Sequence, residues 1–195
     1  MALVTLSIPF IGQELRYNCW HASARMVLAY YGKDPGWNLG RVGQRAYSDN
    51  FGMWGREEIR SFCWEWALTP VDLARPNQKR PTDFTTLLKG YGPVLFWVNK
   101  PRVGWQNIPE AKQDSYGHAV VLTGVDDDID VVFLNDPEQD GNIGVARSLF
   151  VDSVQWALPE NGAVYSHSSA PAYGLPTGLI TGSGGGRCEL TRPTH

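Results

Sequence analysis

The hydrophobic pattern of this chain changes period once, and that change limits the fold more than any single motif does. Ala22, Met26, Ala29 and Tyr30 share a helical face with Cys19, and Gly32 follows as a cap, which predicts a helix over 19–31. Ile59, Phe62, Cys63, Trp66 and Ala67 recur at i, i+3, i+4, i+7 and i+8, which predicts a second helix within 55–68. A short helix around 39–47 fits the irregular stretch between them. Phe84, Leu87 and Leu88 mark a third over 82–89, ended by Gly90. The repeat then shortens. Pro93–Asn99, His118–Val125 and Val131–Asp136 are apolar, β-branched or aromatic runs set between turn residues, and Ala2–Ile8 alternates in the same way. Helices first and strands second predict an α+β fold, a helical lobe facing a small antiparallel sheet.

With 195 residues, 43% of them hydrophobic, the chain can bury one core, expected to occupy 1–165. Beyond about Val164, Ser, Gly, Pro and Ala take over, so 166–195 reads as an extension. Its Gly182–Arg187 string has no following Lys-Ser/Thr and no strand-then-helix context, which favours a linker over a phosphate loop. Seventeen basic against twenty acidic residues, a net charge of −3, and no basic cluster argue against a nucleic-acid or anionic-membrane partner. No apolar run approaches a membrane span, and Met1–Pro9 lacks the basic start of a secretory signal. The expectation is a protein made in the cytoplasm, whatever its destination. Cys19, Cys63 and Cys188 are too few and too scattered for a zinc site or a disulfide framework, and read as free thiols.

Cys19 stands where its predicted helix begins. A thiol attacks a carbonyl well only as thiolate, and the partial positive charge of a helix N-terminus favours that form. Cys63 lies inside an apolar stripe, with Glu57 six residues before it, and reads as core. Gln13, six before Cys19, can fold back to the helix start and offer its amide to an oxyanion beside the Cys19 N–H. Of the four histidines, His21 points about 200° away from Cys19 at roughly 100° per residue. His167 and His195 fall in or near the extension, whereas His118 opens a strand and is the candidate base. If 118–125 and 131–136 form a hairpin across Asp126–Asp130, Val125 faces Val131 and Val120 faces Asp136. Asp136 is then the diagonal neighbour of His118, while the turn carboxylates lie about 20 Å or more away. A slip of one residue would present Asn135 instead. Asp136–Gly141 has the glycine of a calcium loop, but its twelfth position is Arg147, not an acid, which argues against calcium.

Taken in order, Gln13, Asn18-Cys19-Trp20, Gly92–Val98, Gly117–Gly124 and Leu134–Pro137 resemble the papain-like cysteine proteases, specifically their bacterial avirulence-effector branch. The matching pieces span about 13–137. The peptidases that process bacteriocins within exporters are similar too, but this chain carries no transporter segments to support a leader-cleaving role. The resemblance implies Cys19 as nucleophile, His118 as base, Asp136 as its orienting acid and Gln13 as oxyanion donor. It implies a protein or peptide substrate, no metal or organic cofactor, and a translocated effector or toxin with a cognate inhibitor or immunity protein. Amidase, isopeptidase or transpeptidase activity would use the same residues, and an inactive protease-fold binding module is the reading from another class.

Overall fold

The computed structural model describes residues 3–36, 56–71, 83–101, 104–105, 115–139, 141–154 and 164–167. The first helix, α1, runs Cys19–Tyr30 and starts at the residue the periodicity indicated. It is more buried than one stripe requires, with Trp20, His21, Ser23, Ala24, Val27 and Leu28 enclosed as well as Ala22 and Met26, whereas Tyr30 is exposed. Its end is a Schellman turn. Gly32, at φ 68°, donates to Ala29 O, and Lys33 donates to Leu28 O, so two orphan carbonyls are satisfied. Helix α2, Arg56–Glu65, buries Ile59, Phe62 and Cys63. It stops short of the expected Leu68 because Ala67 takes a left-handed φ of 52°. Helix α3, Phe84–Tyr91, is capped by Asp83, whose carboxylate accepts from the Thr86 N–H at 2.9 Å. Gly90 lies inside it, and Gly92 at φ 70° ends it instead; a Cβ there would meet the Tyr31 hydroxyl at 2.4 Å. The 39–47 helix lies outside the described residues.

Among the described residues, seven strands form one antiparallel sheet. They are β1 Val4–Thr5, β2 Leu68–Pro70, β3 Val94–Pro101, β4 Ser115–Asp126, β5 Val131–Asn135, β6 Asn142–Ala146 and β7 Val164–His167. The order is β2-β7-β3-β4-β5-β6, with β1 paired to β4. The initial strand expected over Ala2–Ile8 is therefore reduced to Val4–Thr5, continued by one bond from Leu6 N–H to Thr123 O. Strand β7 crosses residue 165 and pairs with β2 and β3. A further helix, α4 Arg147–Ser153, brings Phe150 against Phe84 and Phe96, with ring centroids 5.7 and 5.0 Å away. Burying each such ring removes it from water at a gain of about 2–3 kcal/mol, which fixes these helices to the sheet.

The hairpin β4–β5 carries the one irregularity that matters to the site. At the turn, Asp126 faces Val131 and Val125 faces Val132, one step from the pairing expected from the sequence. A bulge at Thr123 then takes up one residue, so that Leu122 faces Leu134 and Val121 faces Asn135. Beyond the bulge the register is the expected one. Thr123 is held there by hydrogen bonds from its hydroxyl to Phe133 O (3.0 Å) and to the Asn142 side chain (2.8 Å). Without that extra residue, Asn135 would share the face of His118, because one step of register moves every side chain to the other side of the sheet.

Candidate active site

Helix α1, which begins at Cys19, is tied to the central strand by a buried side chain. Ser23, one turn after Cys19 on the same face, donates from Oγ to Ala119 O at 3.0 Å, next to His118. Cys19 is half-buried, and its thiol acts on the His118 ring by hydrogen bonding and charge that raise the imidazole. The opposite side of that ring, Nε2, lies 2.7 Å from Asp136 Oδ1, which leaves Nδ1 for the thiol. His118 is 4% exposed and Asp136 is wholly buried.

A buried carboxylate needs several donors to stay ionised, and Asp136 has them. Besides His118, the Glu138 N–H donates to Oδ1 at 3.0 Å, and the Trp105 indole N–H and the Lys100 ammonium reach Oδ2, each at 2.8 Å. Burial would raise the carboxyl's pKa, but the His118 hydrogen bond and charge and the Lys100 ion pair outweigh it and hold it far below the usual range. His118 shows the complementary balance. Burial pulls the imidazole down, but hydrogen bonds to Asp136 and Cys19, with the charge of both, raise it to about 9.

Gln13 lies in the loop before α1, tied to the segment after Asp136 by its N–H, which donates to Pro137 O at 2.8 Å. Its Nε2 donates to Arg16 O at 3.2 Å, folding the amide over the turn that leads to Cys19. One N–H of that amide remains for another acceptor. The Cys19 backbone N–H, first in α1, is among the donors that a helix start leaves without an intrahelical partner. An open cleft of about 380 Å³ adjoins this corner, lined by Phe10, Gln13, Leu15, Arg16, Pro137 and Glu138 among others.

Other sequence candidates separate cleanly. Cys63 is 3% exposed in α2, and burial pushes its thiol far up. His21 packs edge-on to Trp20 at 5.6 Å, and burial, helped by the Arg25 charge, lowers it to about 4. Cys188 and His195 lie outside the described residues. The turn acids are solvent-accessible as expected, with Asp128 and Asp130 exposed, although Asp127 and Asp130 also pair with Arg147. His118, Asp136 and Glu138 present ligand atoms within 4.8 Å of one another. An ammonium already bridges the two carboxylates, Lys100 Nζ standing 2.8 Å from Asp136 and 2.6 Å from Glu138, so a second cation there would meet repulsion.

Lys100, Trp105, Tyr116 and Glu138 were not among the sequence candidates. Three of them were open to a parity argument. Tyr116 is two residues from His118 on β4, Glu138 two from Asp136, and Lys100 faces Tyr116 across the β3–β4 ladder. Trp105 comes from a connection after β3 and had no such signal.

A thiol at a helix start, facing a histidine–carboxylate pair on an antiparallel sheet, defines the class of papain-like cysteine peptidases. The chain belongs to the family described as papain-like cysteine protease AvrRpt2, which it matches over residues 4–155. Among solved structures it is similar in fold to a protein described as a C39-like peptidase from Bacillus anthracis, at 16% identity and TM-score 0.53, covering 87% of this chain and all of that one. A double glycine motif protease from an AMS/PCAT transporter, solved with its leader peptide, aligns at 18% identity and TM-score 0.47, over 84% of this chain and 91% of that one. The chain is thus a cysteine peptidase of papain-like fold. Among the described residues, no helix is long and apolar enough to cross a membrane.

Proposed function

We propose that the chain hydrolyses peptide bonds in a protein or peptide substrate through a thioester formed on Cys19. The observation that carries this reading is the His118 ring, held at Nε2 by Asp136 at 2.7 Å and raised by the Cys19 thiol as well as by that carboxylate. The imidazole, raised to about 9, is placed to take the thiol's proton as the sulfur attacks. Cys19 Sγ attacks the scissile carbonyl carbon, and the carbonyl oxygen takes the electron pair. The Cys19 backbone N–H and the free N–H of the Gln13 amide bond that oxygen. As the tetrahedral intermediate collapses, the C–N bond breaks and His118 gives its proton to the leaving amine. A water then attacks the thioester, yields its proton to His118 and releases the acid, restoring the thiol.

The substrate reaches the site through the cleft beside Gln13, where Phe10 and Leu15 are 39% and 36% exposed and can meet apolar side chains. Action inside another cell, as an effector or toxin matched by an inhibitor in the producer, follows the family resemblance. The test is incubation of wild-type and Cys19→Ala protein with proteome-derived peptides, with new termini mapped by mass spectrometry. New termini from the wild type alone support peptide hydrolysis. Equal cleavage by Cys19→Ala contradicts it, and new amide linkages in place of free termini indicate a transpeptidase.

A further inference from the structure

We infer that Lys100 is a positioning residue for the Cys19–His118–Asp136 site, a buried ammonium that shares itself between Asp136 and Glu138 and so sets how strongly the acid pair acts on His118. This rests on the catalytic reading above. Lys100 is 3% exposed, near the end of β3, where a lysine at a strand's end usually reaches water. Here its Nζ lies 2.8 Å from Asp136 Oδ2 and 2.6 Å from Glu138 Oε2. It therefore takes one oxygen of Asp136 while His118 takes the other. Glu138 is further held by the Tyr116 hydroxyl, and the Tyr116 ring lies 5.8 Å from that of His118.

Among the described residues, the titratable groups around His118 are Cys19 from α1, Tyr116 from β4, Lys100 from β3, and Asp136 and Glu138 from the chain after β5. Two carboxylates and one ammonium leave a single net negative charge behind the ring. Glu138 is part of this balance: burial would raise its carboxyl, but Lys100, Tyr116 and the charge on His118 together lower it. Coupling between two titrating groups is mutual, so Glu138 also acts on His118. Removing Lys100 leaves both carboxylates with His118 as their nearest cation. The imidazolium is then stabilised and titrates at higher pH. Removing the Glu138 charge acts in the opposite direction.

The experiment is a four-member cycle of wild type, Lys100→Met, Glu138→Gln and the double variant, with His118 titrated by NMR on protein carrying labelled histidine. The expected result is a midpoint that rises in Lys100→Met, falls in Glu138→Gln and returns toward wild type in the double variant. A role confined to packing would give independent losses of stability and no such compensation. If Lys100→Met does not fold, Glu138→Gln alone must still lower the midpoint. A His118 midpoint unmoved in the variants that fold overturns the assignment. The titration needs no substrate, so its failure is distinct from failure of the catalytic reading, which shows as peptide cleavage surviving Cys19→Ala.

Discussion

Asp136→Asn is close to isosteric, yet the donors around this side chain make it a severe change. Asp136 accepts from His118 and the Glu138 N–H on one oxygen and from Lys100 and Trp105 on the other, at 2.7 to 3.0 Å. Asparagine has one oxygen, so its NH₂ must face two donors whichever way it turns. A buried donor left unmatched costs about 1–3 kcal/mol, and more when it is charged. The oxygen will therefore stay with the Lys100 ammonium, which has no acceptor state, whereas a neutral imidazole can turn an unprotonated nitrogen to an NH₂. The NH₂ then meets His118 Nε2, which must become an acceptor, and the ring proton moves to Nδ1 against the thiol. This wrong-tautomer outcome costs about 10⁴-fold in turnover in the comparable serine triad, or about 5 kcal/mol at 1.36 kcal/mol per decade. The assay is turnover on a mapped cleavage peptide, with the His118 tautomer read from imidazole ¹⁵N shifts. Turnover within about tenfold of wild type, or a proton still on Nε2, would refute the reasoning.

Gln13→Ala should lower kcat by roughly 10²- to 10³-fold with little change in KM, as loss of one oxyanion donor does; wild-type kcat would remove Gln13 from the site. Gly124→Ala should lower the urea midpoint, because its Cβ would lie 2.8 Å from Val4 O in the paired β1 strand. An unchanged midpoint would mean that β1 is not held against β4. His118 adds a pH dependence of stability whose sign follows from its upward shift. Raised from 6.5 to about 9 on folding, it stabilises fully below pH 6.5 and loses that contribution as pH rises through 9. The urea midpoint should fall across that window and do so less in His118→Ala; identical slopes would contradict the shift.

Much of this site could be read from the sequence because it sits on periodic elements. The face shared by Cys19 and Ala22 located α1, and alternation through β4 and β5 put His118 and Asp136 on one side of the sheet. The hairpin reached the right pairing through two deviations that cancel, a turn shifted by one residue and a bulge at Thr123. Neither leaves a mark in a hydrophobic pattern, since Thr123 owes its place to hydrogen bonds with Phe133 O and Asn142. Strands β2 and β6 were missed for a similar reason. Leu68–Pro70 and Asn142–Ala146 are short and carry a proline or a glycine, so only their neighbours define them. Lys100 was missed because local sequence treats a lysine after Asn99 as solvent-facing. Its burial depends on two carboxylates that lie 36 and 38 positions onward.

The central claim, that Cys19 is the attacking group, is tested most directly by alkylating the folded protein with iodoacetamide while following peptide cleavage. Intact mass and peptide mapping would give the modified position, with Cys63 as an internal control because it is 3% exposed. The account predicts modification of Cys19 with cleavage lost in proportion to its extent and Cys63 unmodified, any label on Cys188 being told apart by the peptide map. Full alkylation of Cys19 with cleavage undiminished would contradict it.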